Sequence, residues 1–224
     1  KTTMKMIPIL SGLVDRLRDN ERIVLIGTFW SVVIRASGTG IAYISLILFA
    51  SWMGEEQFGI YSYVYAAIST LAIVPLFGFS YASIPLIAEY EVDEAFEKLR
   101  GLILFSTGFV ITASIAVSFI IAFLIKQNII GPGEYRNGII VGCVALPVFS
   151  LLIYMGEVSR GLGRAIAAFA PLQVLMPLFL LILAFLSFYY LNNLDSTRAI
   201  YLWFLSMLLL VIVQFIYLYR VIQR

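Results

Sequence analysis

Residues 23–50 read IVLIGTFWSVVIRASGTGIAYISLILFA, an apolar run interrupted by a single charge, Arg35. About 20 apolar residues suffice for a helix to cross the hydrocarbon core of a bilayer, so this stretch predicts a membrane-spanning helix with an arginine inside it. At a rise of about 1.5 Å per residue, Arg35 lies roughly 18 Å along the helix from Ile23, too far in to snorkel easily. A charge at that depth costs about 2.5 to 3.5 kcal/mol on insertion scales and needs a partner, a watery cavity or a route to the interface.

The neighbours of Arg35 sharpen the question. Gly27, Ser31, Arg35, Gly38, Ala42 and Ser45 recur at steps of three or four residues, which places them on one helix face. Small residues at such spacing let membrane helices approach closely, and Gly27, Ala42 and Ser45 fit that role. The same stripe also fits one wall of a central cavity in which Arg35 faces an anionic substrate. An ion pair with a buried acid is the structural alternative for Arg35.

Composition extends this reading to the whole chain. Of its 224 residues, 62% are hydrophobic and only 12% charged, against about a quarter charged in a soluble domain, so the chain is a polytopic membrane protein. A net charge of +2 is too small to point to nucleic acid. The lone cysteine, Cys143, and the absence of histidine exclude an internal disulfide, a Cys/His metal site and histidine proton chemistry. The chain starts at Lys1 and stops at Arg224 directly after an apolar run, which leads us to expect a piece of a longer protein. The first apolar run is too long for a cleavable signal peptide and lacks a small-residue cleavage site.

Residues 1–22 contain Leu10, Leu13, Val14 and Leu17 against Asp15, Arg16, Arg18 and Asp19, the pattern of an amphipathic helix lying in the membrane interface. Six spans are then expected, at about 23–50, 59–88, 102–125, 138–158, 165–190 and 199–219, making an all-α bundle over residues 23–219. Pro75 and Pro85 should kink or end the second span, and Tyr61, Tyr63 and Tyr65 near its start suit an aromatic belt. Residues 89–100 place acids early and bases late, as in a short exposed helix aligned with its own dipole. Gly131-Pro132-Gly133-Glu134 is turn chemistry. Glu157 falls at the end of the fourth span, where hydration of an acid is cheap. Gly161 and Gly163 lack the strand and the Gly-Lys-Ser/Thr ending of a phosphate loop.

Lys and Arg set the orientation. If the N-terminus is cytoplasmic, Lys126, Arg136 and Arg198 are the external basic residues, Arg35 is intramembrane, and all the others fall inside. Both termini of the chain are therefore expected on the cytoplasmic side of a multi-pass protein.

No nucleophile with a base, intramembrane carboxylate pair or metal set is apparent, so the expected activity is transport rather than enzymatic, with no cofactor. The intramembrane polar residues are Arg35, Ser31, Ser69, Thr70, Thr107, Thr112, Gln173 and Gln214. Arg35, Ser31 and Gln173 are the candidates for substrate binding, since one cation with neutral hydrogen-bonding groups favours an anion bearing hydroxyls.

The turn Met53-Gly54-Glu55-Glu56-Gln57-Phe58-Gly59-Ile60-Tyr61 resembles the loop between the first two spans of polysaccharide-biosynthesis flippases. The likeness continues in Arg35, Gly78 and Phe79, Ile87-Ala88-Glu89-Tyr90 and Arg160-Gly161-Leu162-Gly163-Arg164. These are O-antigen or capsule type flippases of lipid-linked oligosaccharides, in the multidrug/oligosaccharidyl-lipid/polysaccharide exporter superfamily. The resemblance implies a cytoplasmic (inner) membrane transporter with two six-helix lobes around a central cavity, of which these residues correspond to the N-terminal lobe alone. A second lobe of the same polypeptide is expected, with membrane lipids and a coupling ion as further partners. It further implies that Arg35 meets the pyrophosphate of a polyprenyl-linked sugar during alternating access. The alternative within the superfamily is a cation-coupled multidrug exporter, which usually needs a buried acid, and the sequence shows none at mid-span. A non-transporting assembly protein is the third reading.

Overall fold

At Gly54 the backbone adopts φ 75 and ψ 169, a region essentially confined to glycine, and there the longest helix reverses. In a computed structural model, which describes residues 6–129, 133, 135–191 and 194–222, with side chains from residue 27 on except that of Leu191, helix α1 (Met6–Leu71) is two helices merged across that residue. The Phe49 and Tyr61 rings lie 5.6 Å apart, edge to face. A straight helix would hold positions twelve residues apart about 18 Å from each other. The two arms of α1 therefore form a hairpin. The amphipathic faces expected over residues 1–22 lie outside the described side chains.

The second arm stops soon after. Beyond Leu71 come a 3-10 turn, Val74–Leu76, carrying Pro75, then Phe77 and Gly78 at φ 42 and 76, and then α2 (Phe79–Val92). Proline removes a donor and disfavours helix before it, so the expected second span is two shorter helices with a break between them. Pro85, in contrast, is held inside α2. Ser150, buried on another helix, donates its hydroxyl to the carbonyl of Ala72 at 2.9 Å and satisfies a group that the break releases.

The chain continues through α3 (Phe96–Lys126), α4 (Arg136–Gly161), α5 (Ala165–Ala170), a π-helical turn (Pro171–Leu175), α6 (Met176–Leu191) and α7 (Ser196–Ile222). Among the described residues five helices are long and apolar enough to cross a membrane, not the six expected. The first of them, Gly27–Leu76, takes in both arms of the hairpin, and the remainder of the broken second span is too short to count. The acidic stretch 89–100 also departs from its reading as a separate helix. It belongs to the end of α2 and the start of α3, joined through Glu94 at φ 52, with Leu99 buried. The turn expected over 131–134 falls largely outside the described residues.

Helix α4 is the centre of the bundle: 61% of its apolar window is buried, against 17% to 39% for the other four spanning helices. Gly142 permits this, since a Cβ there would meet Ile68 at 2.6 Å and Val64 at 3.2 Å, and small residues give membrane helices close contact. Trp203 of α7 packs against Phe149 of α4 and Tyr65 of α1 at 5.5 and 5.0 Å. Phe29, Tyr43, Phe119 and Phe215 are exposed. So many outward apolar side chains belong in lipid, not water, and the chain is a multi-pass all-α membrane protein.

Candidate substrate-binding cavity

The first arm of α1 buries Ile34, Ser45 and Phe49 against the bundle and seats Gly38 on the π-helical turn. A methyl group at Gly38 would overlap the Gln173 carbonyl, with the carbonyl carbon at 2.7 Å. That carbonyl is four residues before Pro177, whose missing N–H would have been its α-helical partner. Two prolines, Pro171 and Pro177, thus bracket the wide turn that presents Gln173. π-turns inside α-helices frequently occur at functional sites.

Between these elements and α4 lies a cavity of about 180 Å³, whose walls include Arg35, Tyr81, Glu157, Arg160, Phe169 and Gln173. The Arg35 guanidinium carbon sits 4.5 Å from the centre of the Phe169 ring, a cation–π contact worth about 0.5 to 2 kcal/mol depending on hydration. Glu157 and Arg160 pair at 2.9 Å across one turn at the end of α4, with side chains 18% and 38% exposed.

Of the residues picked out by sequence, Arg35 and Gln173 line this cavity together. Ser31 does not line it: its hydroxyl donates to the carbonyl of Gly27 at 2.8 Å, within its own helix. The close-packing glycine of this arm is Gly38 and not Gly27, whose Cβ would meet nothing within 4 Å. Gln214, in the polar inventory without a role, donates from its side-chain nitrogen to Ser159 Oγ and the Ala167 carbonyl at 2.9 and 3.0 Å. Ala167 stands four residues before Pro171, so Gln214 replaces a helical donor that proline lacks.

Sequence reasoning missed Glu157 and Arg160. The sequence places Glu157 at the end of a span, where hydration of an acid is cheap; in the structure its side chain lines the cavity and pairs with Arg160. Their spacing of three was a visible signal that they share a face. The structural alternative for Arg35 is not realised among the described residues, where the acid nearest in role, Glu157, forms its ion pair with Arg160.

A second cavity, about 250 Å³, lies between α3, α4 and α7 and is lined chiefly by apolar side chains such as Ile103, Leu104, Phe215 and Leu218. Arg100 at its edge donates to the Ile222 carbonyl at 3.1 Å. It lacks the convergent polar groups that mark a specific site. Among the described residues no three acidic, histidine or cysteine side chains come together to hold a metal. The smaller cavity instead offers two guanidinium groups, a carboxylate, an amide and an aromatic face, a set suited to binding phosphate and hydroxyl groups.

No curated protein and no solved structure matches the chain. The sequence signature described as polysaccharide biosynthesis protein matches residues 24–224, which connects this membrane bundle with the synthesis or export of polysaccharide. The chain belongs to the polysaccharide biosynthesis protein family.

Proposed function

We propose that this chain takes part in flipping a polyprenyl-pyrophosphate-linked oligosaccharide from the cytoplasmic to the outer leaflet, for assembly of a cell-surface polysaccharide such as O-antigen or capsule. The observation that carries the reading is Arg35 beside Arg160 and Gln173 in one cavity of a membrane bundle, in a chain of this family. Guanidinium groups match phosphate oxygens in geometry and charge, and an amide supplies a neutral donor for sugar hydroxyls. No bond of the substrate is made or broken, so the protein acts as a transporter and not as an enzyme. The working unit is two lobes of one polypeptide in the cytoplasmic membrane, with the termini of this chain inside and the cavity opening alternately to each leaflet.

The cation-coupled multidrug exporter is the second reading, and Glu157 in the cavity wall is the observation in its favour. The ion pair with Arg160 at 2.9 Å already engages that carboxylate, which favours an anionic cargo. Translocation of a labelled lipid-linked oligosaccharide by the full-length protein in liposomes tests the choice. Flipping by wild type that falls at least tenfold in Arg35→Ala supports the proposal. Flipping insensitive to Arg35 removes the arginine from the site, and dye efflux without flipping supports the exporter.

A further inference from the structure

Two arginines and one carboxylate share the walls of the smaller cavity, and the carboxylate is turned inward. Glu157 is the less exposed member of its pair, at 18% against 38% for Arg160. One carboxylate oxygen takes the ion pair at 2.9 Å, and the other accepts a hydrogen bond from the same Arg160 nitrogen at 3.3 Å. On the opposite wall Arg35 has no carboxylate of its own among the described residues and rests on the Phe169 ring. The cavity therefore contains an internal carboxylate that pairs with one of its two arginines.

We propose that Glu157 is a displaceable counter-anion: it pairs with Arg160 before a substrate enters and yields that guanidinium to the phosphate oxygens of the entering substrate. This rests on the reading of the cavity as a phosphate-binding site. A polyanion outcompetes Glu157 for Arg160, because it carries more charge and can accept two parallel hydrogen bonds from the guanidinium fork, whereas both Glu157 oxygens meet one Arg160 nitrogen. Arg35 and Arg160 then hold the anion together while Glu157 stays in the wall. Its charge opposes the bound anion, which limits affinity. A transporter must release its cargo, and binding that is too tight halts the cycle.

The test is the affinity of the full-length protein in nanodiscs for inorganic pyrophosphate, by calorimetry, in wild type, Arg35→Gln, Glu157→Gln, Glu157→Ala, Arg160→Gln and the double variant Glu157→Gln/Arg160→Gln. Removing the counter-anion should tighten binding about three- to tenfold in both Glu157 variants, as expected for one charge acting across a partly hydrated cavity. The gain should shrink with added salt, and it should be smaller when Glu157→Gln is added to Arg160→Gln than when it is made alone, since the competition for Arg160 is then gone and only the repulsion of the bound anion is relieved. A gain of affinity is an effect that damage to the fold does not produce. If Arg35→Gln abolishes binding but both Glu157 variants bind as wild type or more weakly, the counter-anion role is overturned and the phosphate site stands. If pyrophosphate binds to none of these proteins, or binds equally to Arg35→Gln, the phosphate-site reading falls and the proposal with it.

Discussion

Replacing Gly38 with alanine, and Gly40 with alanine beside it, separates helix propensity from contact geometry. Alanine gains about 0.8 to 1.0 kcal/mol over glycine in a helix interior, and both positions lie in the same arm of α1. At Gly40 an added Cβ meets nothing within 4 Å, so that variant should be neutral to mildly stabilised. At Gly38 the same carbon overlaps the Gln173 carbonyl oxygen, with the carbonyl carbon at 2.7 Å and the Gln173 Cβ at 3.2 Å. Ordinary carbon contacts sit at about 3.5 to 4.0 Å, so the arm must move off the π-helical turn by about 1 Å. The obstacle is backbone and cannot rotate away as a side chain would. Overpacking of this kind costs about 1 to 3 kcal/mol, which offsets the propensity gain and leaves Gly38→Ala less stable than Gly40→Ala by about 1 to 3 kcal/mol. Unfolding of both purified variants in detergent by SDS titration measures the difference, and flipping assays on the same preparations should show loss only for Gly38→Ala, since Arg35 and Gln173 would be pushed apart. Equal stability of the two variants would refute the close contact that builds this wall of the cavity.

Other substitutions probe other parts of the argument. Gly54→Ala and Gly54→Asn should both destabilise the hairpin by about 1 to 3 kcal/mol, because φ 75 with ψ 169 is closed to residues with a Cβ; Gly78→Asn, at φ 76 and ψ −5, should be milder, and equal effects at both sites in denaturation would count against the assignment. Gln214→Leu leaves the Ala167 carbonyl without its side-chain donor and should cost about 0.6 to 1.7 kcal/mol, the range for hydrogen bonds between membrane helices. An unchanged midpoint in the same SDS titration would show that the bond contributes nothing. Phe169→Leu removes the ring under Arg35 and should weaken pyrophosphate binding about two- to fivefold, as expected for losing a partly hydrated cation–π contact, with little change in thermal stability; calorimetry beside a melting curve distinguishes this from simple unfolding.

Hydropathy by itself determined the class of this protein, because lipid admits only segments that satisfy their own backbone and are apolar for about 20 residues. Residues 23–50 announced such a segment, Arg35 stood out as the one costly charge in it, and Pro75 and Pro85 both marked places where the second span could fail, of which only Pro75 breaks it. The turn from Met53 to Tyr61 was enough to point to the family. Contact between helices was decided by tertiary structure. In water an apolar stripe marks the face that packs, but in a bilayer the lipid-facing and packed faces are both apolar, so the sequence did not mark α4 as the central helix. Nor could spacing along the chain bring Arg35 together with Gln173, Glu157 and Arg160, which lie more than a hundred residues away. Ser31 shows the converse: it shares a helix face with Arg35, yet its hydroxyl closes onto Gly27. The hairpin at Gly54, the break at Pro75 and the π-turn between Pro171 and Pro177 bring the distant residues to one cavity; the break and the π-turn do so by freeing backbone carbonyls, those of Ala72 and Ala167, that Ser150 and Gln214 then satisfy.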